Sequence, residues 1–169
     1  DRTSDVERHV EEVIRAVEEL SRYRIGALIV WRRETGIDDY SEIGIDIDAA
    51  ISPELLVNIF TPNTPLHDGA VIISQGRITR AGAFLPLSDN PNLEKSLGTR
   101  HRAAVGISEV SDALAIVVSE ETGRLALARE GVLTRPLDSL TLKGILLQEL
   151  RDQYSRKQSI WWKREVKNE

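Results

Sequence analysis

The chain has 169 residues, 41% hydrophobic and 29% charged, a composition that suits one soluble globular domain with a sizeable core. Its net charge of -5 argues against a general nucleic-acid-binding surface, and the lack of cysteine removes disulfides, zinc ribbons and thiol nucleophiles together. No apolar run approaches the ~20 residues that span a bilayer. The acidic, polar start Asp1-Arg2-Thr3-Ser4-Asp5 is unlike a signal peptide, and a piece of a longer protein is expected.

Residues 5–21 predict an amphipathic helix, because Val6, Val10, Val13, Ile14, Val17 and Leu20 recur at three- and four-residue spacings. Ser4 or Thr3 is the expected cap, with Glu7 placed for a capping box, and His9 is expected on the surface. Ile25-Gly26-Ala27-Leu28-Ile29-Val30-Trp31 is a short continuous apolar run, as in a central strand. Loose alternation around Ile43, Ile45 and Ile47 suggests a further short strand. Pro53 opens a helix through Phe60, with Ser52 as cap and Glu54 in the first turn. Pro62 and Pro65 stop it.

Asn63-Thr64-Pro65-Leu66-His67-Asp68-Gly69 is a polar turn that runs into a strand at 70–74. It sets a carboxylate and an imidazole at the strand's mouth, beside a glycine that lets another backbone or a ligand come close. Asp-Gly is also a common turn dipeptide, so this stretch alone does not decide between the two readings. Gln75-Gly76 turns into a strand from Arg77 to Phe84, which Pro86 ends. After a loop from Ser88 to Leu97, Gly98-Thr99-Arg100-His101-Arg102 leads into a helix to about Val110, with Thr99 as the natural cap. Cations in a first helical turn oppose the helix dipole. Two arginines and a histidine there suit a phosphate, the alternative being a solvated basic helix start.

A buried strand follows at 113–118, and Ser119-Glu120-Glu121 closes it. Thr122-Gly123 turns into Leu125-Ala126-Leu127-Ala128, either as a plain hairpin or with carboxylates set to ligate metal. Asp138 caps a last helix from Leu140 to Leu150. Residues 1–150 are expected to form one domain, and 151–169 a basic aromatic tail with a net charge of +3 against -8 for the rest. That tail, with Trp161-Trp162, suits either a lipid or partner contact or a frayed or self-packed end. Dinucleotide-binding, P-loop, zincin and nucleophile-elbow spacings are all missing.

Asp68-Gly69-Ala70 together with Arg100-His101-Arg102 resembles the signature of diadenylate cyclase (DAC) domains. Gly26-Ala27-Leu28-Ile29-Val30, Asn63-Thr64-Pro65-Leu66-His67, Phe84-Leu85-Pro86-Leu87-Ser88-Asp89-Asn90 and Gly98-Thr99 extend the likeness over about residues 6–150, nearest to the membrane-anchored CdaA type. The resemblance implies an α/β fold: a single domain with a central twisted mixed β-sheet flanked by helices. It implies condensation of two ATP into cyclic di-AMP and two pyrophosphates by a face-to-face homodimer, since a two-fold symmetric product suits a two-fold pair of half-sites. It also implies a divalent metal ion (Mn2+, Mg2+ or Co2+).

By that resemblance Asp68, Arg100 and Arg102 are catalytic. Gly69, Ala70, Phe84, Leu85, Gly98, Thr99, Arg100, His101, Arg102, Ser119 and Glu120 bind ATP, and His67, Asp68 and Glu121 hold metal. No nucleic acid is expected as partner. The parent protein is expected at the cytoplasmic face of a bacterial membrane, open to protein regulators. Two other classes compete: a non-catalytic adenine-nucleotide-binding regulatory module in the same pocket, and a docking protein built on the Trp161-Trp162 tail.

Overall fold

The protein is described here by a computed structural model, over residues 2–40 and 44–152. Continuous apolar runs form the middle of one seven-stranded sheet. In chain order its strands are β1 (Ala27–Trp31), β2 (Ile45–Ala50), β3 (Ala70–Ser74), β4 (Arg77–Ala83), β5 (Leu114–Val118), β6 (Leu125–Arg129) and β7 (Val132–Leu137). They lie in the order β2-β4-β3-β1-β5-β6-β7, with β1 and β3 parallel and every other neighbouring pair antiparallel. Every residue of β1, β3 and β5 is buried, as strands covered on both faces require.

The two faces differ in how many alanines they carry. Ile29, Trp31, Val71, Ile73, Ile116 and Leu127 point to the face covered by α1 (Arg2–Arg22), α2 (Pro53–Phe60) and the helical residues 139–152, here α4. Full burial of one such aliphatic side chain stabilises by about 1.5–3 kcal/mol. Ala70, Ala83, Ala115, Ala126 and Ala128 point to the other face, against α3 (Thr99–Val110) and its own Ala103 and Ala104. Small residues on both sides bring α3 close to the sheet. Gly106 extends this to the loop before the helix, because a Cβ there would stand 1.9 Å from the Pro86 carbonyl oxygen. Ser88 N–H then donates to the Arg102 carbonyl at 3.0 Å. The chain from Phe84 to Ser88 is thereby held against the tip of α3.

Several expectations hold residue by residue. Ser52 caps α2, its hydroxyl accepting from Leu55 N–H at 3.1 Å. Gln75 and Gly76, at φ 51° and 75°, form the two-residue turn between β3 and β4. Asp138 caps α4 by accepting from Thr141 N–H at 2.6 Å.

Others are corrected. α1 already begins at Arg2, ahead of both Thr3 and Ser4, so neither is its cap. His9 is half-buried, with its ring lying on Gly76. Thr99 is the first residue of α3 rather than its cap; Gly98 holds the cap position in extended backbone and supplies no side-chain bond. β7 carried no expectation, because its mixed pattern includes Pro136, which only an edge strand tolerates. No helix among the described residues is long and apolar enough to cross a membrane. The tail from residue 153 onward, with Trp161-Trp162, lies outside the described residues.

Candidate active site

Strand directions decide where the polar groups meet. β1, β3 and β6 begin, and β4 and β5 finish, at the same end of the sheet. That end collects Gly26 before β1, Asp68-Gly69 before β3, Phe84-Leu85 after β4 and Ser119-Glu120 after β5, with the start of α3 over them. In parallel sheets ligands gather at the carboxyl ends of strands. Here the parallel pair contributes its amino ends, and the carboxyl ends come from antiparallel β4 and β5.

Two adjoining clefts result. One, of about 500 Å³, is lined by Arg24, Gly26, Asn63, His67, Asp68, Gly69, Phe84, Leu85, Leu87, Thr99, Arg100 and Glu120 among others. The other, of about 530 Å³, is lined by Glu94, Leu97, Gly98, Thr99, Arg100, His101, Ser119, Glu120, Glu121, Arg124 and Arg135 among others. Thr99, Arg100 and Glu120 belong to both and form the shared wall. Each cleft has the volume of a small-molecule site.

In the first cleft Asp68 is open, its side chain 70% exposed. His67 Nδ1 donates to the Thr64 carbonyl at 2.6 Å, since a carbonyl oxygen only accepts. In the neutral ring Nε2 is then the lone-pair nitrogen, and it lies 3.4 Å from Asp68 Oδ1. Two acceptors at that separation are held best by a cation between them. The pair therefore fits a divalent ion that takes its remaining ligands from phosphate and water, as Mg2+ does. Among the described residues no group of three His, Asp or Glu side chains is placed to hold a metal. Glu121 lines the other cleft and does not join this pair.

Gly69 needs its glycine twice over: φ is +90°, and a Cβ would stand 2.8 Å from the Ala83 carbonyl oxygen. Ala70 is fully buried below it. Phe84 is exposed at the rim and Leu85 lies below it in the wall.

Arg100 lies across Gly26. A Cβ on Gly26 would stand 2.4 Å from Arg100 Nη1, so the glycine is the space the guanidinium occupies. Arg100 Nη1 is 3.3 Å from Glu120 Oε2. Gly26 and Arg24 are site residues that the sequence reading did not single out. The first had a signal, a glycine interrupting an apolar strand run; the second had none.

Arg102 behaves differently from Arg100. Its Nε and Nη2 donate to the Leu97 and Glu94 carbonyls, each at 3.3 Å, so it braces the loop before α3 and lines neither cleft. His101 lines the second cleft. Burial, then the charges of Arg135 and Arg100, lower its pKa below 6.5 against the opposing pull of Glu121, so the ring is neutral at pH 7. The Ser119 hydroxyl accepts from Glu121 and Thr122 N–H at 3.3 and 3.4 Å and shapes the turn after β5.

These features define a class: an α/β domain with ligand-sized clefts at one sheet end, faced by an arginine-bearing helix start. A model of the DAC family, described as DisA bacterial checkpoint controller nucleotide-binding, matches residues 14–133, and the chain belongs to that family. It is 53% identical to the diadenylate cyclase of Listeria monocytogenes over 95% of the chain and 61% of that protein. It is 52% identical to the cyclic di-AMP synthase CdaA of Bacillus subtilis over 84% of the chain and 52% of that protein. The chain thus spans between half and two thirds of these relatives.

Among solved structures, a double mutant of DacA from Staphylococcus aureus superposes with a TM-score of 0.83 at 51% identity, over 86% of this chain and 97% of that one. A structure described as a hypothetical membrane spanning protein from Bacillus cereus does so with a TM-score of 0.74 at 42% identity, over 76% of this chain and 63% of that one.

Proposed function

We propose that the chain is the catalytic domain of a diadenylate cyclase that condenses two ATP into cyclic di-AMP and two pyrophosphates. The observation that carries this reading is the common cleft of Asp68 and Arg100, in a chain more than half identical to proteins named for that activity. Adenosine occupies the cleft between Phe84, Leu85 and Gly69. The triphosphate crosses the shared wall at Thr99 and Arg100, where uncapped helical N–H groups and a guanidinium favour anions.

Each 3′-oxygen attacks the α-phosphorus of the other ATP, and at each phosphorus the bond to the bridging oxygen of pyrophosphate breaks, so two bonds form and two pyrophosphates leave. Asp68 accepts the proton of the attacking hydroxyl. A divalent ion held by His67 Nε2 and Asp68 would lower the pKa of that hydroxyl and offset phosphate charge. Arg100 stabilises the charge that grows on the phosphoryl oxygens. Arg102 supports the reaction by fixing the loop that edges the second cleft.

One domain holds one ATP, so two copies face each other with their open Asp68 carboxylates toward the opposite nucleotide. The membrane-spanning description of the Bacillus cereus neighbour supports a membrane-anchored parent protein, and ATP as the substrate favours the cytoplasmic face for this domain.

Incubation with ATP and Mn2+ or Mg2+, followed by mass spectrometry, is expected to show cyclic di-AMP and pyrophosphate in a ratio of one to two. ATP binding without product would leave a regulatory nucleotide module instead. Specific activity is expected to fall on dilution, because the working site needs two chains; a rate strictly proportional to protein through the nanomolar range would remove the dimer from the mechanism.

A further inference from the structure

Arg135 lies on edge strand β7, and its guanidinium pairs with the Glu94 carboxylate at the rim of the second cleft. The other Glu94 oxygen accepts from Ser96 Oγ at 2.7 Å. The pair links two separate walls: β7 on one side, and on the other the loop that Arg102 braces through the Leu97 and Glu94 carbonyls. It is an open contact, with the side chains 38% and 61% exposed. Water and salt leave such a pair little net strength. A guanidinium bonded to phosphate is held by forked, charge-assisted hydrogen bonds, about twice as strong as neutral ones. The Glu94 carboxylate shares that charge assistance but carries a single negative charge, whereas a polyphosphate brings several charges and several acceptor oxygens to the same guanidinium, which favours its displacing Glu94.

Arg100 repeats the pattern on the shared wall, where Glu120 stands 3.3 Å from it. In the free chain two guanidinium groups of the same cleft thus hold carboxylates where an anion would sit. His101, lining the same cleft, feels both cations.

We propose that Arg135 is a second polyphosphate-binding cation of this site, with Glu94 as its displaceable counter-ion. On binding, the two terminal phosphates of ATP, which leave as pyrophosphate, take the place of the Glu94 carboxylate. The assignment rests on the diadenylate cyclase reading above and extends it to the leaving group. A cation there has most to stabilise when charge builds on the departing oxygen.

Calorimetric titration of the full chain with pyrophosphate and, separately, with AMP tests it. Arg135→Gln is expected to weaken pyrophosphate about 10–100-fold, the worth of a charge-assisted bond, while AMP changes less than about twofold. Arg135→Lys, keeping charge but not the fork, falls between. Glu94→Gln removes the competitor and is expected to tighten pyrophosphate a few-fold, a gain that no folding defect would produce. If Arg135→Gln does not fold, the Glu94→Gln result decides alone: tighter binding supports the proposal, and unchanged or weaker binding overturns it. Equal weakening of pyrophosphate and AMP by Arg135→Gln would overturn it too. Cyclic di-AMP synthesis by the unmodified chain, with pyrophosphate binding unmoved in Arg135→Gln, would sink this assignment and leave the enzyme reading standing. An unmodified chain that binds neither ATP nor pyrophosphate would remove both.

Discussion

The two ends of the β-sheet carry the same residue types and use them in opposite ways. At the end away from the clefts, Asp112 accepts from the N–H groups of Glu34 and Thr35 at 3.1 and 3.0 Å. Arg33 donates to the Asp112 carbonyl at 2.8 Å, and Glu149 takes Arg33 at 3.0 Å on one oxygen and Arg129 at 2.7 Å on the other. Burial raises the Asp112 pKa, but the Thr35 and Glu34 bonds and Arg33 outweigh it and hold the carboxyl below its usual range. At the cleft end Asp68 meets His67 at 3.4 Å and is otherwise open, and Arg100 meets a Glu120 that is itself two thirds exposed. Charges whose bonds are filled hold backbone in place. Charges left with spare bonding capacity, beside glycines that clear space for them, are the ones available to a ligand.

The contrast is open to experiment from both sides. The largest effect is expected from Asp68→Asn, which should lower cyclic di-AMP synthesis by about 10²–10⁴-fold, the worth of a positioned base, with the melting temperature unmoved. Full activity in that variant would place Asp68 outside the chemistry. Next comes Gly26→Val, whose side chain takes the space of the Arg100 guanidinium. ATP affinity is expected to fall about 10–100-fold by titration, the loss of one charge-assisted contact; unchanged affinity would show that Arg100 does not need its place over Gly26.

At the other end the readouts exchange. Asp112→Ala leaves the Glu34 and Thr35 N–H groups without their partner and is expected to cost about 1–3 kcal/mol in urea unfolding, with turnover per folded molecule unchanged. Because the Asp112 pKa is depressed in the fold, its contribution is present above the unfolded value near 3.9 and disappears as pH falls through the folded one. The variant and the parent should therefore converge in stability in strong acid.

The smallest effect concerns His101. Its folded pKa lies below 6.5, so as pH drops past that value the unfolded chain takes the proton first and stability declines. His101→Gln should flatten that part of a melting-temperature scan between pH 7 and 5, and an unaltered slope would assign it to His9, whose pKa burial also lowers.

Much of the fold was legible locally. β1 and β5 are unbroken apolar runs and β3 is one up to Ser74, the pattern of strands buried on both faces. Ser52-Pro53 marked the start of α2, and Gln75-Gly76 the turn between β3 and β4, through backbone preferences a few residues long. β7 was illegible because an exposed edge strand with a proline has no period to detect. At the site, the motif pointed to Asp68 and Arg100 and the fold puts both on one cleft. It did not separate Arg100 from Arg102, which differ in where the side chain turns after leaving the same helical turn.

From residue order alone came the elements other than β7, the buried strands, the placement of arginines against a helix dipole and the glycine beside Asp68. Each is a matter of periodicity, propensity or φ/ψ preference within a short window. The tertiary fold alone decided that Gly26 clears the way for Arg100, that Arg102 braces a loop, and that Arg135 meets Glu94 at a sequence separation of 41. Those meetings depend on the strand order β2-β4-β3-β1-β5-β6-β7 and on register, which long-range packing sets and no short stretch of chain encodes.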